Sequence, residues 1–366
     1  MYITLLCNYI KYYSMKNLKF ISFLMLIASS LIFVQCTHES VPGPQGVAGI
    51  DGINGINGID GKDGKDGAAS CTECHSDSHR LPIESSYPYS AHANQTIMYN
   101  GMTLAEYANQ SFFGGSCTQC HTNEGYIDYM NTGATNPGSY ANPTRIDCKT
   151  CHDKHGTFDF ENDGYDFALR NFAPTTLITD PTYTIDFGDK SNNCASCHQP
   201  RTAPPVDDGT GMFAVTSSRW GPHHGPQSTL LEGIQGAEIA GSEAYPGIGT
   251  ATHRTGSSCT NCHMGADSGA DDGEHTFKPT STACTTCHPG GAPGEVDGLA
   301  ANMTNLAALL EGIGIVHDGH PVEGDYTISQ AEAAWNYLLI IEDSSNGVHN
   351  PAYAKALIKN SIEVLN

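Results

Sequence analysis

One five-residue pattern, Cys-x-x-Cys-His, occurs six times between positions 71 and 288. The copies are Cys71-Thr72-Glu73-Cys74-His75, Cys117-Thr118-Gln119-Cys120-His121, Cys148-Lys149-Thr150-Cys151-His152, Cys194-Ala195-Ser196-Cys197-His198, Cys259-Thr260-Asn261-Cys262-His263 and Cys284-Thr285-Thr286-Cys287-His288. The spacing lets two thiols form thioethers to a haem's vinyl groups while the following imidazole reaches the iron, which makes the pattern the attachment signature of c-type haem. Zinc held by paired Cys-x-x-Cys units leaves the six histidines unexplained. With 17 His in 366 residues, six chance matches have a probability of about 10⁻⁸. A disulfide framework fails on the same ground. Six covalently attached haem c groups are therefore expected, and any fold must be built around them.

Composition agrees. Only 39% of residues are hydrophobic and 40 are glycine, too little apolar side chain for an ordinary core of this length. Porphyrins supply the missing apolar volume, and without them such a chain should not collapse to one structure. The net charge of −22 argues against a nucleic-acid partner, which demands a basic footprint.

The N-terminal region has a different character. Lys11, Lys16 and Lys19 precede an uncharged run from Phe20 to Val34, the architecture of a secretory signal over residues 1–35, with Met15 as the expected start. At ~1.5 Å per residue the run reaches about 22 Å, short of the ~30 Å hydrocarbon core, so a spanning helix is the weaker reading. Cys36 closes the run in Phe33-Val34-Gln35-Cys36, which resembles a bacterial lipoprotein signal, with Phe33 for the preferred Leu and Gln35 for a small residue. Setting aside Cys7 and Cys36 leaves the twelve motif cysteines of the 14 in the chain. Lipidation at Cys36 implies membrane attachment.

From Gly43 to Gly67 glycine recurs at every third position, the period a collagen triple helix needs because only glycine fits its axis. Residues 36–70 thus read as a lipid anchor and an extended collagen-like stalk of up to ~80 Å, with a homotrimer as its assembled form. A flexible glycine-rich tether on a monomer is the other reading. Residues 71–296 are expected to hold the hexahaem domain, and 297–366 a set of C-terminal helices packed on it.

Turn formers such as Asn136-Pro137-Gly138 and Pro204-Pro205 fill the spaces between motifs, and strand patterns are scarce. The expected class is mainly α with extensive loops and little β, organised around the haems. Helical patterns run from Leu299 to Glu311, after a capping box at Ser329 and Glu332, and from Pro351 through Leu357, Ile358, Ile362 and Leu365. His349 falls in the turn between the last two.

Eleven histidines lie outside the motifs, and six irons can each take a second imidazole. Ser90-Ala91-His92, Asp153-Lys154-His155, Pro222-His223-His224-Gly225-Pro226, His275-Thr276-Phe277 and Gly347-Val348-His349-Asn350-Pro351, together with the motifs, resemble multihaem cytochromes c over residues 71–366. The nearest group is the cytochrome c-554-like family, related to pentahaem nitrite reductase and the octahaem reductases. The resemblance implies distal ligands at His92, His155, His253, His275 and His349, plus one of His223 and His224. His79, His317 and His320 are in reserve, and Met264, just after a motif, reads as core filler.

These features imply an exported electron carrier, lipid-anchored at an outer membrane or cell surface, or facing the periplasm. It would exchange electrons with redox proteins or an extracellular donor or acceptor, and no catalytic residue is assigned. The alternative is a reductase of a small nitrogen or sulfur oxyanion at one haem lacking a distal ligand, with Arg80, Arg145, Arg219 or Arg254 steering the anion. All six motifs end in histidine, so the lysine-bearing motif of the pentahaem nitrite reductases is absent. A structural or adhesive protein built on the stalk ranks last, since it leaves the haems without a purpose.

Overall fold

The computed structural model describes residues 71–72, 74–93, 98–159, 166–266, 272–292 and 294–366. The signal, Cys36 and the glycine-period segment lie outside the described residues. No described helix is long and apolar enough to cross a membrane.

Between Cys71 and Thr285 the helices are short, and several are the motifs themselves. Thr118–His121, Cys148–Cys151 and Cys259–His263 are single turns. The motif histidine closes its turn by donating its backbone N–H to the first cysteine, as in His121 to Cys117 (3.1 Å), His152 to Cys148 (2.9 Å), His198 to Cys194 (3.0 Å) and His288 to Cys284 (2.9 Å). A four-residue offset is one helical turn, so cysteine and imidazole emerge on the same side. Polar caps fix where two of the motif turns begin. Asp147 forms a reciprocal capping box with Thr150, and the Thr280 hydroxyl accepts from the Ala283 N–H at 3.1 Å.

Sheet is minor. Three two-stranded antiparallel pairs are present among the described residues, Thr175–Thr176 with Thr184–Ile185, Met212–Val215 with Gly324–Thr327, and Val316–His317 with His320–Pro321. The second pair matches Met212 to Thr327 and delivers the chain to the helix that follows.

Three long helices end the chain, at Leu299–Ile313, Ile328–Asp343 and Pro351–Leu365. The middle one is buried nearly all round, from Ala333 through Ile340, and is the centre of the main core. Leu306, Leu310, Leu339, Leu357 and Ile358 interlock there with Val215, Leu230 and Ile239 from earlier in the chain. The cap of the middle helix is a correction to the expectation above. It is Thr327 with Gln330, two residues before Ser329 and Glu332, because the strand pairing sets Thr327 in extended backbone where Thr-x-x-Gln closes the box.

Polar groups tie the middle helix to the haem-motif region. Asn336 Oδ1 accepts from the Ala237 N–H at 2.8 Å, and its Nδ2 donates to the Ala237 carbonyl at 2.8 Å and to Ser361 Oγ at 3.0 Å. Asn336→Ala leaves the buried Ala237 N–H without its partner and removes one of the two donors to the Ala237 carbonyl, which keeps the Ile239 N–H. It is expected to lower unfolding free energy by about 2–4 kcal/mol, read from denaturant melts of the loaded protein. A loss below about 0.5 kcal/mol, the level of ordinary surface substitutions, contradicts that account.

Candidate functional site

Each motif histidine faces one other histidine. The ring centroids lie 6.0 Å apart for His75 and His155, 6.1 Å for His121 and His223, and 6.3 Å for His152 and His275. They lie 6.0 Å apart for His198 and His92, 6.2 Å for His263 and His349, and 6.3 Å for His288 and His253. With an imidazole–metal bond of about 2.0 Å, and about 1.1 Å from nitrogen to ring centre, two imidazoles on opposite faces of one metal stand about 6.2 Å apart. Direct ring packing has no reason to repeat that separation six times.

The pairs open onto one continuous cavity of 2970 Å³, lined by both histidines of every pair and by motif cysteines from all six motifs. An ordinary small-molecule pocket is roughly 300–1,000 Å³. Basic side chains on its wall include Arg80, Arg145, Lys190, Arg201 and Lys278. Two lining groups, Ser228 Oγ and Asn350 Nδ2, are buried with no hydrogen-bond partner. Such groups call for an acceptor supplied by something bound. Cysteine pairs for thioethers, facing imidazoles, basic groups for propionates and unpaired polar atoms all fit haem c.

The twelve described cysteines are free thiols. Among the described residues no cluster of three or more His, Cys, Asp or Glu side chains has the arrangement of a metal site. The repeated unit is thus a pair of imidazoles, which suits an iron whose other four ligands come from a porphyrin.

Burial, above all, pushes His92, His121 and His275 down to about 4, each helped by a neighbouring histidine. His198, His223 and His263 are lowered as well, again chiefly by burial. These rings are neutral at pH 7, the form that ligates metal.

The Nδ1 atoms have different partners, and through them each ring is oriented differently. His152 and His263 meet the Phe167 and Phe277 carbonyls at 2.8 and 2.9 Å, His253 meets the Val348 carbonyl at 2.6 Å, and His198 meets Gln227 Oε1 at 3.0 Å. Two have carboxylates instead. Asp166 Oδ1 is 2.6 Å from His155, and Asp343 Oδ1 is 2.5 Å from His349 with its side chain fully buried. Burial pulls His349 down, but the hydrogen bond and charge of Asp343 outweigh it and raise it.

The geometry separates the adjacent pair at 223–224. His223 stands opposite His121, whereas His224 turns its Nδ1 to the Glu342 carboxylate and is 74% exposed. Both residues have left-handed backbone, φ 64° and 32°, unusual for a side chain of this size. Gly225 permits the crossing, since a Cβ there would meet the Gln199 carbonyl at 2.6 Å.

Of the reserve histidines, His79 is exposed on the cavity wall. His317 and His320 are exposed, pair with each other across a short hairpin, and have no ring contact with a motif histidine among the described residues. Arg80 pairs with Asp77 and Glu84, Arg254 with Glu232, and Arg145 donates to the Ala93 carbonyl at 2.8 Å. Arg219 is exposed. Sequence reading missed Asp166, Asp343, Gln227 and Phe277, whose only sequence signal is closeness to a candidate histidine in some cases.

No family model matches the chain. It is similar to the C-type polyheme cytochromes OmcB and OmcC of Geobacter sulfurreducens. Identity to OmcB is 26% over 342 residues, covering 69% of this chain and 44% of OmcB, and to OmcC 27% over 344 residues, covering 69% and 43%. Among solved structures it is similar to the outer cell wall cytochrome OcwA, with a TM-score of 0.45 at 19% identity over 78% of this chain and 50% of that one. It is also similar to the undecaheme cytochrome from the S-layer of Carboxydothermus ferrireducens, with a TM-score of 0.41 at 19% identity over 81% and 45%. The chain spans less than half the length of the curated relatives it matches.

Proposed function

We propose that this chain is a multihaem c-type cytochrome whose six haems, each between two histidines, form an electron relay. The observation that carries the reading is the sixfold recurrence of facing imidazoles at 6.0–6.3 Å, one of each pair belonging to a Cys-x-x-Cys-His motif. Similarity to named polyheme cytochromes supports it. The haem iron supplies a reversible one-electron centre. The protein would supply twelve thiols for covalent attachment and two facing imidazoles for each iron, which would exclude other ligands. Its short turns, closed by a backbone bond from histidine to the first cysteine, would hold the motif rings in place.

In this reading residues 1–35 are a signal, Cys36 carries a lipid and the glycine-period segment is a stalk, which support a relay outside the cytoplasm, anchored at an outer membrane or cell surface or facing the periplasm. There it trades electrons with redox proteins or an extracellular donor or acceptor. The stalk assembles as a homotrimer in this reading. A reductase site needs an iron with a single imidazole, whereas every motif histidine here has an opposing one.

Two histidines per iron favour low potentials, because a Met in place of the second His raises them. Protein-film voltammetry of the full chain, with the haem-to-protein ratio measured on the same sample, is expected to give six haems per chain and waves at negative potential. Fewer than six, or all waves well positive, contradicts the proposal.

A further inference from the structure

The six facing pairs divide by the angle between their ring planes. His75–His155, His198–His92, His121–His223 and His288–His253 are crossed, at 76°, 66°, 83° and 73°. His152–His275 and His263–His349, of the third and fifth motifs, lie at 32° and 36°. No pair falls between 36° and 66°.

The two near-parallel pairs share a local device. His152 Nδ1 donates to the Phe167 carbonyl at 2.8 Å, and His263 Nδ1 to the Phe277 carbonyl at 2.9 Å. Both phenylalanines have left-handed backbone, φ 50° and 55°. Three residues further on, the chain is tied back to the second cysteine of the same motif. The Arg170 N–H donates to the Cys151 carbonyl at 2.7 Å, and the Thr280 N–H to the Cys262 carbonyl at 3.3 Å. The flanking sequences, Asp166-Phe167-Ala168 and Thr276-Phe277-Lys278, share only the phenylalanine. An aromatic residue in the left-handed region is uncommon, and such strain persists where the surroundings hold it, often at functional positions. Of the other motif rings, His198 turns its Nδ1 to a side chain, Gln227 Oε1.

A ring bound through Nε2 can only rotate about its bond to the metal, and Nδ1 lies off that axis. Holding Nδ1 on a fixed carbonyl therefore fixes the direction of the ring plane. The opposing rings have their own supports. His349 is held by Asp343, and His275 meets the ring of Phe277 edge-on, at 69° with 5.7 Å between centroids.

We infer that Phe167 and Phe277 are positioning residues, whose strained carbonyls set the planes of His152 and His263 and make the third and fifth haems a class apart from the other four. This rests on the reading of six attached haems above. Each imidazole interacts with the iron d orbital perpendicular to its own plane. Near-parallel rings act on one orbital and split it from its twin, whereas crossed rings act on one each and leave the two nearly equal. The unpaired electron of oxidised low-spin iron occupies the raised orbital, so the split favours oxidation at these two sites. Ring direction is then a lever on two haems that leaves the identity of their ligands unchanged.

Low-temperature EPR of the oxidised, loaded full chain separates the classes. Crossed rings give one extreme low-field feature, and near-parallel rings give a rhombic spectrum. Integration is expected to assign four irons to the first class and two to the second. Phe167→Val should remove one of the two rhombic contributions, because a β-branched residue is an outlier at positive φ and takes the carbonyl away from His152. Phe167→Asn should keep both, since asparagine tolerates left-handed backbone although the aromatic ring is lost all the same. A rhombic share other than two of six overturns the inference and leaves the relay standing. So does Phe167→Val with both contributions intact, or Phe167→Asn with one lost, which would assign the effect to the ring and not the carbonyl. Should Phe167→Val fail to load, the unsubstituted protein and Phe167→Asn decide the matter. Fewer than six low-spin irons overturns the relay and the inference together.

Discussion

His253→Ala converts about one sixth of the iron in the loaded protein to a high-spin, cyanide-binding form. The His253 ring faces His288 with 6.3 Å between centroids, and among the described residues no other histidine ring is paired with His288. The short helix Thr252–Gly256 that carries it has no buried residue, so the alanine leaves the surrounding packing in place. His224→Ala and His79→Ala serve as matched controls, since neither ring faces a motif histidine at the two-ligand distance. Cyanide titration followed optically should give one site per chain for His253→Ala and none for the controls. A cyanide site in His224→Ala, or none in His253→Ala, contradicts the pairing.

Asp343→Asn raises the potential of the haem between His263 and His349 on the order of 60 mV, a tenfold change in a one-electron equilibrium. The carboxylate is fully buried and accepts the His349 Nδ1–H, which pushes electron density onto the ring and favours the more positive, oxidised iron. A hydrogen bond to a charged group is worth about 1.5–3 kcal/mol, which sets the scale. The asparagine Oδ1 still accepts from His349, so the ring keeps its orientation while the charge is lost. Asp166→Asn should act in the same direction on the His75–His155 haem with a smaller effect, because Asp166 is 23% exposed and partly screened. EPR-monitored potentiometry resolves the individual haems. An unchanged midpoint, or an equal shift of all six, contradicts the assignment.

What could be read from sequence, and what could not, divides along physical lines. The motifs are local, since five residues fix one turn of helix and the direction of its thiols and imidazole. The three C-terminal helices showed in their apolar period, with Leu357 and Ile358 on the buried side and Ile362 and Leu365 at its edge. The middle helix's cap was displaced by two residues because Thr327-x-x-Gln330 and Ser329-x-x-Glu332 are equally good local signals, and the strand pairing with Met212 decides between them.

The pairing of rings was not legible. His92 meets His198, and His121 meets His223, across long stretches of chain, and no local pattern encodes a contact between distant segments. The partners on Nδ1 were hidden for the same reason, although Asp343 lies only six residues before His349. Phe277 stood in the sequence only as part of the His275-Thr276-Phe277 stretch, with no role of its own. Only the fold shows its ring between two histidine pairs and its carbonyl on a third.

The central claim is that every iron is closed by two imidazoles. The most direct test is low-temperature EPR of the oxidised full-length protein, with spin state quantified per haem before and after adding nitrite, hydroxylamine and cyanide. All iron low-spin and unmoved by any of the three is the expected result. One high-spin haem that shifts when a small ligand is added would contradict it, and would make a substrate site on that iron the better account of the protein.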